Sequence, residues 1–220
     1  MVDFQSRDAR RSHGGGAADE ASDDGTPADG ESGGGDATDE DAGARGDHAS
    51  AHDHPHDHDA PVTLGFGVVT VTSSRSVAED ASGDTIVSLV EAEDHEVVTR
   101  ELVGDDYDRV QDVVDNLVGR SDVDAVVTTG GTGVTPDDVT VEAVTPLVDK
   151  HLPGFGELFR ARSREEVGTK VIATRATAGV AEGVPVFCLP GSESAVELGV
   201  REVILPEVSH LVALARREDE

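Results

Sequence analysis

Apolar residues from Val62 onward recur with two alternating spacings, one typical of buried strands and one typical of amphipathic helices. Short runs rich in β-branched residues predict strands at 64–72, 97–103, 124–129 and 185–189. Between the strands, apolar positions three and four residues apart predict helices. The clearest helical set is Val110, Val113, Val114, Leu117 and Val118. This alternation predicts an α/β fold, a doubly wound, mostly parallel sheet with helices on both faces.

The remaining segments of the apolar part continue the same pattern. Residues 171–176 are expected to be extended. Further helices are expected at 85–94, 141–148, 154–166 and 193–216, the last with a break near Pro206. About 160 residues are enough for one core of this kind.

Residues 1 to about 60 have a different composition, dominated by Gly, Ala, Asp, Glu, Ser and Thr. Such a segment buries too little apolar surface to offset its conformational entropy. We therefore expect a disordered acidic tail at 1–60 and a folded domain at 61–220. The tail ends in histidines that alternate with aspartates, namely His48, His52, His54, His56 and His58. Histidine tracts bind transition metals, but a solvated polar linker explains the same composition.

The chain carries 46 acidic and 17 basic residues, which gives a net charge of -29. A phosphate backbone would be repelled by this charge, so we expect no nucleic-acid partner. The acidic excess runs through the tail and the domain alike. That distribution is typical of a halophilic composition, suited to a salt-rich cytosol in which screening removes most of the self-repulsion.

Cys188 is the only cysteine, so an internal disulfide is impossible, as expected in a reducing interior. The residue lies in an apolar run and is expected to be an inert core thiol. The sequence contains no run of about 18 apolar residues. No apolar signal core follows Met1. We therefore expect a cytoplasmic protein without a membrane partner.

Ligands of open parallel sheets bind beyond the carboxyl ends of the strands. The sharpest segment at such a position is Gly130-Gly131-Thr132-Gly133, between the third strand and a helix expected to begin near Asp138. Its glycines let the backbone turn tightly and point several N–H groups at one anion, and the helix dipole would assist. An ordinary strand-to-helix connection explains the same pattern.

Asp105 and Asp138 also follow strands at this edge, where two carboxylates would hold a Mg²⁺ ion that bridges phosphate oxygens. Helix N-capping, which aspartate favours, is the competing interpretation of both. Asp80 is interpreted first as a helix cap and second as part of a ligand loop. Four cations would either contact phosphate or pair with the acidic surface, namely Arg160, Arg162, Arg164 and Arg175.

The order of these motifs resembles the MoaB/Mog molybdenum-cofactor family. The central matches are Thr-Gly-Gly-Thr-Gly at 129–133, Asp138, and Pro-Gly-Phe-Gly-Glu at 153–157 followed by Phe159-Arg160. Supporting matches are Asp80-Ala81-Ser82-Gly83, Thr174-Arg175-Ala176 and Pro190-Gly191-Ser192. The resemblance extends over about residues 62–216 and leaves the acidic tail outside.

The resemblance implies a molybdopterin-binding domain that assembles as a homotrimer or homohexamer. Its adenylylating members take Mg-ATP, pass AMP to the terminal phosphate of molybdopterin, release pyrophosphate and hand the product to a metal-inserting enzyme. Catalysis and Mg²⁺ binding would then depend on Asp105 and Asp138. Substrate and nucleotide binding would fall on the other matched positions, namely Thr129, Gly130, Gly131, Thr132, Gly133, Asp80, Ser82, Glu157, Pro190, Gly191 and Ser192.

Other members of the resembled family bind molybdopterin with little adenylylation, and this is the alternative function. The acid at Asp105 favours the enzyme, because the less active branch tends to lack it. Whether molybdenum or tungsten is the eventual metal stays open.

Overall fold

The computed structural model describes residues 62–73 and 79–217. The predicted acidic tail at 1–60 and its histidine tract lie outside the described residues. Within the described part, one sheet contains β1 (Gly65–Val71), β2 (Glu96–Val103), β3 (Ala125–Thr129), β4 (Lys150–His151), β5 (Thr177–Ala181) and β6 (Val184–Leu189).

The strands lie in the order β2-β1-β3-β6-β5-β4. The first four are parallel to one another. β5 is antiparallel to β6, and the two-residue strand β4 is antiparallel to β5. The parallel strands require crossover connections, which the helices supply.

Six helices connect or flank these strands in the described residues. They are α1 (Ala81–Ala92), α2 (Tyr107–Val118), α3 (Thr140–Val144), α4 (Pro153–Val167), α5 (Glu193–Gly199) and α6 (Val208–Ala215).

Each face of the sheet packs against its own hydrophobic core. Phe66 and Val68 of β1 share one core with residues of α1, α4, α5 and α6. Val69 and Val71 share the other core with residues of α2 and α3. Since successive strand residues point to opposite faces, β1 is buried on both sides, as its continuous apolar run predicts. The predicted doubly wound α/β fold is confirmed.

Two expectations about local structure were wrong, and two strands were missed. Residues 171–176 are not a strand: a 3₁₀ turn spans Gly168–Ala173, and β5 begins at Thr177. Gly168 ends α4 with a φ of 61°, and Ile172 beyond it is 87% exposed, so no sheet partner is present to extend this segment. The helix expected at 141–148 ends at Val144 and continues as a 3₁₀ turn. The strands β4 and β5 were not predicted.

The break expected near Pro206 is present, since α6 resumes at Val208 after a wide helical turn over Val200–Ile204. Cys188 on β6 is fully buried, and burial raises the pKa of its thiol to about 11. This agrees with the expected inert core thiol, because only the thiolate is a nucleophile. None of the described helices has the length and apolar character needed to span a membrane.

Candidate functional site

The carboxyl ends of the four parallel strands lie level with one another. Thr70 of β1 pairs with Leu102 of β2 and with Thr129 of β3, and Thr129 pairs with Leu189 of β6. The segments that follow these residues therefore leave the sheet at the same edge. This is the edge at which ligands bind in parallel α/β proteins.

An open groove of about 540 Å³ lies at this edge. It brings together three of the predicted elements, the Gly130–Gly133 turn, Asp138 and the Pro190–Ser192 segment. The complete lining is Gly130, Gly131, Thr132, Gly133, Asp138, Lys170, Ala173, Thr174, Pro190, Gly191 and Ser192.

Glycine is required at the first two positions of the turn. Gly130 and Gly131 have φ values of 98° and 64°, which other residues rarely adopt. A Cβ atom at Gly130 would lie 2.2 Å from the carbonyl oxygen of Val71, and one at Gly131 would lie 2.2 Å from Oγ1 of Thr140. The same Thr140 hydroxyl donates to the carbonyl oxygen of Gly130 at 2.8 Å and fixes the turn.

Two backbone donors of the turn are free to meet a ligand. Among the backbone hydrogen bonds of the described residues, none has the N–H of Gly131 or Thr132 as its donor. The turn is supported from below by the buried Thr129, whose hydroxyl donates to the carbonyl oxygen of Pro190 at 2.9 Å. Successive unpaired N–H groups in a turn favour an anion such as phosphate.

Asp138 follows the glycine turn in the chain and lines the same groove. Its carboxylate accepts hydrogen bonds from the backbone N–H and the hydroxyl of Thr135, at 2.8 and 2.6 Å. Burial alone would raise the pKa of Asp138. Hydrogen bonds from Thr135 and the Gly133 N–H, together with the charge of Arg175, outweigh burial and lower the pKa below its ordinary value. The carboxylate is therefore ionised at neutral pH.

The capping interpretation of Asp138 is wrong. The residue before α3 is Val139, and no side chain caps this helix. The helix α3 begins at Thr140 and has only five residues. Its dipole therefore adds little to anion binding at the turn. The expected anion site therefore depends on the glycine turn and not on a helix end.

The capping interpretation is wrong for Asp105 as well, because the N-cap of α2 is Asp106. Asp105 is partly exposed, and its carboxylate accepts a hydrogen bond of 2.5 Å from the Ser73 hydroxyl at the end of β1. It is not among the groove-lining residues in the described part of the chain. Since β1 alone separates β2 from β3, the two strands are about 10 Å apart. Asp105 thus shares the edge but not the groove wall.

Asp80 does not contact the groove. It caps α1 through the Gly83 N–H, and its fully buried carboxylate also accepts from Arg100 and Thr70, each at 2.7 Å. Burial would raise the pKa of Asp80, but these hydrogen bonds together lower it. The primary interpretation as a cap is therefore correct, and a ligand contact of Asp80 stays a prediction.

Two further predicted ligand residues lie outside the groove wall. Ser82 is buried, and its hydroxyl donates to the carbonyl oxygen of Gly191 at 2.8 Å, which ties α1 to the Pro190–Ser192 segment. Glu157 is exposed on α4 and does not line the groove of the described chain. Ser82 thus contacts the backbone of a groove-lining residue, Gly191. Glu157 makes no such contact in the described residues.

The arginines named from the sequence divide into different roles. Arg175 contacts the backbone of the groove and forms an ion pair with Glu142. Arg160 donates to the carbonyl oxygen of Ala176, and Arg162 lies 3.9 Å from Glu202. Lys170 lines the groove and was missed. As one of only two lysines in an acidic chain, it carried a compositional signal that could have found it.

The described residues contain no group of three or more His, Cys, Asp or Glu side chains placed to hold a metal ion by themselves. Mg²⁺ at phosphate sites needs fewer protein ligands, since one or two carboxylates and the substrate phosphates are enough. Asp138 lines the groove and could supply one such carboxylate, whereas Asp105 lies at the same edge of the sheet but outside the groove wall.

Parallel strands that end at an open, glycine-walled groove define a doubly wound α/β protein with a groove at its ligand-binding edge. Residues 67–210 match a family described as "Probable molybdopterin binding domain". The chain belongs to this family, which confirms the resemblance noted in the sequence and places the protein in molybdenum-cofactor biosynthesis.

Similar proteins support the assignment to molybdenum-cofactor biosynthesis. The "Molybdopterin adenylyltransferase" of Pyrococcus furiosus is 45% identical over 163 residues, covering 71% of this chain and 94% of the relative. The "Molybdenum cofactor biosynthesis protein B" of Halalkalibacterium halodurans is 40% identical over 153 residues, covering 69% and 90%.

Solved structures show the same fold. A crystal structure of "Molybdenum cofactor biosynthesis protein B" is similar with a TM-score of 0.71 and 39% identity, covering 73% of this chain and all of that one. The "tungsten cofactor synthesizing protein MoaB from Pyrococcus furiosus" is similar with a TM-score of 0.65 and 44% identity, covering 72% and 100%.

Proposed function

We propose that this protein transfers an adenylyl group from ATP to molybdopterin. The observation that carries the proposal is one groove lined both by Gly131 and Thr132, whose backbone N–H groups are unpaired in the described residues, and by the ionised carboxylate of Asp138. Backbone N–H donors can bind phosphate oxygens, and a carboxylate can hold a metal ion. A groove that has both therefore suits a reaction between two phosphates. The adenylyltransferase name of a relative 45% identical to this chain supports the same reaction.

In the proposed reaction, an oxygen of the terminal phosphate of molybdopterin attacks the α-phosphorus of ATP. The bond from the α-phosphorus to the oxygen bridging the α- and β-phosphates breaks, and pyrophosphate leaves. The product carries a new phosphoanhydride bond between AMP and molybdopterin. Attack of one anion on another is slow mainly because of charge repulsion, so electrostatic stabilisation provides most of the catalysis.

The residues of the chain divide this work. The N–H groups of Gly131 and Thr132 donate to phosphate oxygens, and the Lys170 ammonium at the groove wall offsets phosphate charge. Asp138 and Asp105 would hold Mg²⁺, which when bound neutralises charge on the phosphates. No side chain needs to act as the nucleophile. Thr129, Asp80 and Ser82 hold the turn and the strand ends in place.

A molybdopterin-binding protein with little adenylylation is the second candidate. One observation favours this candidate. Asp105, one of the two expected metal ligands, does not line the groove in the described part of the chain. Assembly into a homotrimer or homohexamer, a choice of molybdenum or tungsten, and delivery to a metal-inserting enzyme remain predictions from the family.

The test is release of pyrophosphate by the purified full-length protein with molybdopterin, ATP and Mg²⁺ at high salt. Pyrophosphate is expected only when both substrates are present. In the matched control, an ATP analogue with a methylene group between the α- and β-phosphates should bind without releasing product. Tight molybdopterin binding with no pyrophosphate would establish the second candidate instead.

A further inference from the structure

The groove wall contains a lysine, in a chain that uses arginine for nearly all its positive charges. Two of the 17 basic residues are lysines, Lys150 and Lys170, and Lys170 lines the groove. An arginine at this position would also offset phosphate charge, and its planar fork would bind phosphate with two donors. Only the lysine amine readily loses a proton and becomes a nucleophile. The residue type therefore suits covalent chemistry at Lys170.

Lys170 and the unpaired N–H groups of Gly131 and Thr132 belong to the same groove. The lysine lies in the 3₁₀ turn Gly168–Ala173. Just beyond it, the N–H of Arg175 donates to the carbonyl oxygen of Thr132 at 2.9 Å, which ties this segment to the glycine turn. The Lys170 side chain is exposed, and none of the ion pairs among the described residues includes it. Its amine is therefore available to a molecule in the groove.

Acyl phosphates carry the two groups that this arrangement would bring together. Their phosphoryl group is an anion of the kind that successive free N–H groups favour. Their acyl carbon is an electrophile joined to the phosphorus through a single oxygen. A phosphoryl group bound at the glycine turn would thus present the acyl carbon to a lysine of the same groove. Holding two reactants together in this way accelerates their reaction by orders of magnitude.

We propose that Lys170 is a modification site that takes the acyl group of an acyl phosphate bound in the groove. The inference shares with the proposed function only the binding of a phosphoryl group at the glycine turn. The neutral amine nitrogen attacks the acyl carbon, and the bond from that carbon to the bridging oxygen breaks. Inorganic phosphate leaves with the bonding electron pair and takes up, through water, the proton that the nitrogen loses. The resulting amide has no positive charge, so acylation weakens anion binding in the groove.

The test incubates the purified full-length protein with acetyl phosphate and follows the acetylation of each lysine over time by peptide mass spectrometry. Lys150 is the matched control within the same molecule, because it is also exposed but does not line the groove. Lys170 should be acetylated at least about 10-fold faster than Lys150. Pyrophosphate, which competes for the glycine turn, should lower the rate at Lys170 to that at Lys150.

Acetic anhydride is the chemical control, because it delivers the same acetyl group without a phosphoryl group. It should acetylate the two lysines at similar rates. Gly131→Ala, which distorts the turn, should slow the reaction of Lys170 with acetyl phosphate but not with the anhydride. Should this variant misfold, the pyrophosphate and anhydride measurements on the wild-type protein are sufficient.

The effect of the modification on anion binding is measured by titration calorimetry with pyrophosphate. Lys170→Gln resembles the uncharged acetylated side chain and should bind pyrophosphate about 10-fold more weakly, as expected for the loss of one charged donor. Lys170→Arg keeps the charge and should bind like the wild type. Lys150→Gln removes the same charge outside the groove and should also bind like the wild type.

Equal acetylation of the two lysines by acetyl phosphate would overturn the inference. A preference for Lys170 that acetic anhydride reproduces would also overturn it, because the amine would then be reactive without the groove. Failure of pyrophosphate to protect Lys170 would have the same meaning. The proposed function has a separate readout, the pyrophosphate released from ATP in the presence of molybdopterin, so the two can fail independently.

Discussion

The Arg175 side chain forms a hydrogen bond with the backbone of Gly133, in which Nε donates to the carbonyl oxygen at 2.6 Å. Its Nη2 also donates to the carbonyl oxygen of Asp138 at 2.8 Å, and its own N–H donates to the carbonyl oxygen of Thr132. One residue thus holds both ends of the segment that carries the ligand donors and the ionised acid. The guanidinium acts on the site through the backbone.

Arg175→Lys should impair adenylylation without unfolding the protein. A lysine cannot reproduce the planar fork that reaches two carbonyl oxygens, so the turn would lose its fixed position. We expect turnover to fall about 10- to 100-fold, the usual effect of a small misplacement of reacting groups. Arg164→Lys, at an exposed arginine of α4, is the matched control. Equal rates for the two variants would show that the contacts of Arg175 do not matter.

Asp138→Asn should abolish most activity, because it removes the negative charge but keeps the shape of the side chain. Turnover is expected to fall by about two orders of magnitude or more, with a cooperative melt retained. Asp137→Asn removes the same charge at the exposed neighbour, which does not line the groove, and should stay close to wild type.

Asp105→Ala is expected to lower turnover by about two orders of magnitude or more as well, for the same electrostatic reason. Its partner Ser73 offers a milder test, since Ser73→Ala removes the 2.5 Å hydrogen bond but not the charge. Wild-type rates in both Asp105→Ala and Asp138→Ala would rule out the proposed roles of the two acids.

Gly131→Ala should distort the turn. The new methyl group would lie 2.2 Å from the Thr140 hydroxyl at a φ of 64°, and strain of this kind costs about 1 to 3 kcal/mol. Gly154→Ala is the control, because nothing lies within 4 Å of an added Cβ there. Denaturant melts should show a loss of stability in the first variant only. Similar stabilities would mean that the turn tolerates a side chain.

Asp80→Asn should lower stability in a pH-dependent way. Leaving Arg100 without this partner is expected to cost about 2 to 4 kcal/mol at neutral pH. Because the folded pKa of Asp80 lies below the ordinary 3.8, the contribution is complete above that value and is lost as the pH falls through the folded pKa. The difference between wild type and variant should therefore shrink in acid.

The control for this prediction is Asp84→Asn, which changes the other carboxylate paired with Arg100. The Asp84 side chain is 64% exposed, and exposed ion pairs contribute little to stability. Urea melts of both variants, at neutral pH and below pH 3.8, provide the measurement. An equal loss of stability in the two variants would contradict the special role of the buried Asp80.

Stability should rise with salt concentration. The full sequence carries a net charge of -29, and added ions screen the repulsion among these acidic residues. We expect the Tm of the full-length protein to increase between low and molar KCl, and sodium chloride of equal ionic strength to act similarly. A Tm independent of salt would argue that the acidic surface is already balanced by its own ion pairs.

The sequence by itself determined the features that depend on local pattern. The apolar run of β1 and the helical spacing of Val110, Val114 and Leu117 predict their elements, because period and burial are coupled within each element. The glycine turn was also visible, since positive φ values at Gly130 and Gly131 demand residues without a Cβ. The fold class follows from the order of such elements.

Tertiary structure decided what depends on residues distant in the chain. β4 and β5 pair antiparallel although the paired residues are 28 or more positions apart in the chain, which no local pattern records. Asp80 and Asp138 look alike in sequence. Asp80 is buried against Arg100, whereas Asp138 lines an open groove. A side chain's solvation and partners are properties of the assembled chain, so its chemistry is fixed only when the fold is complete.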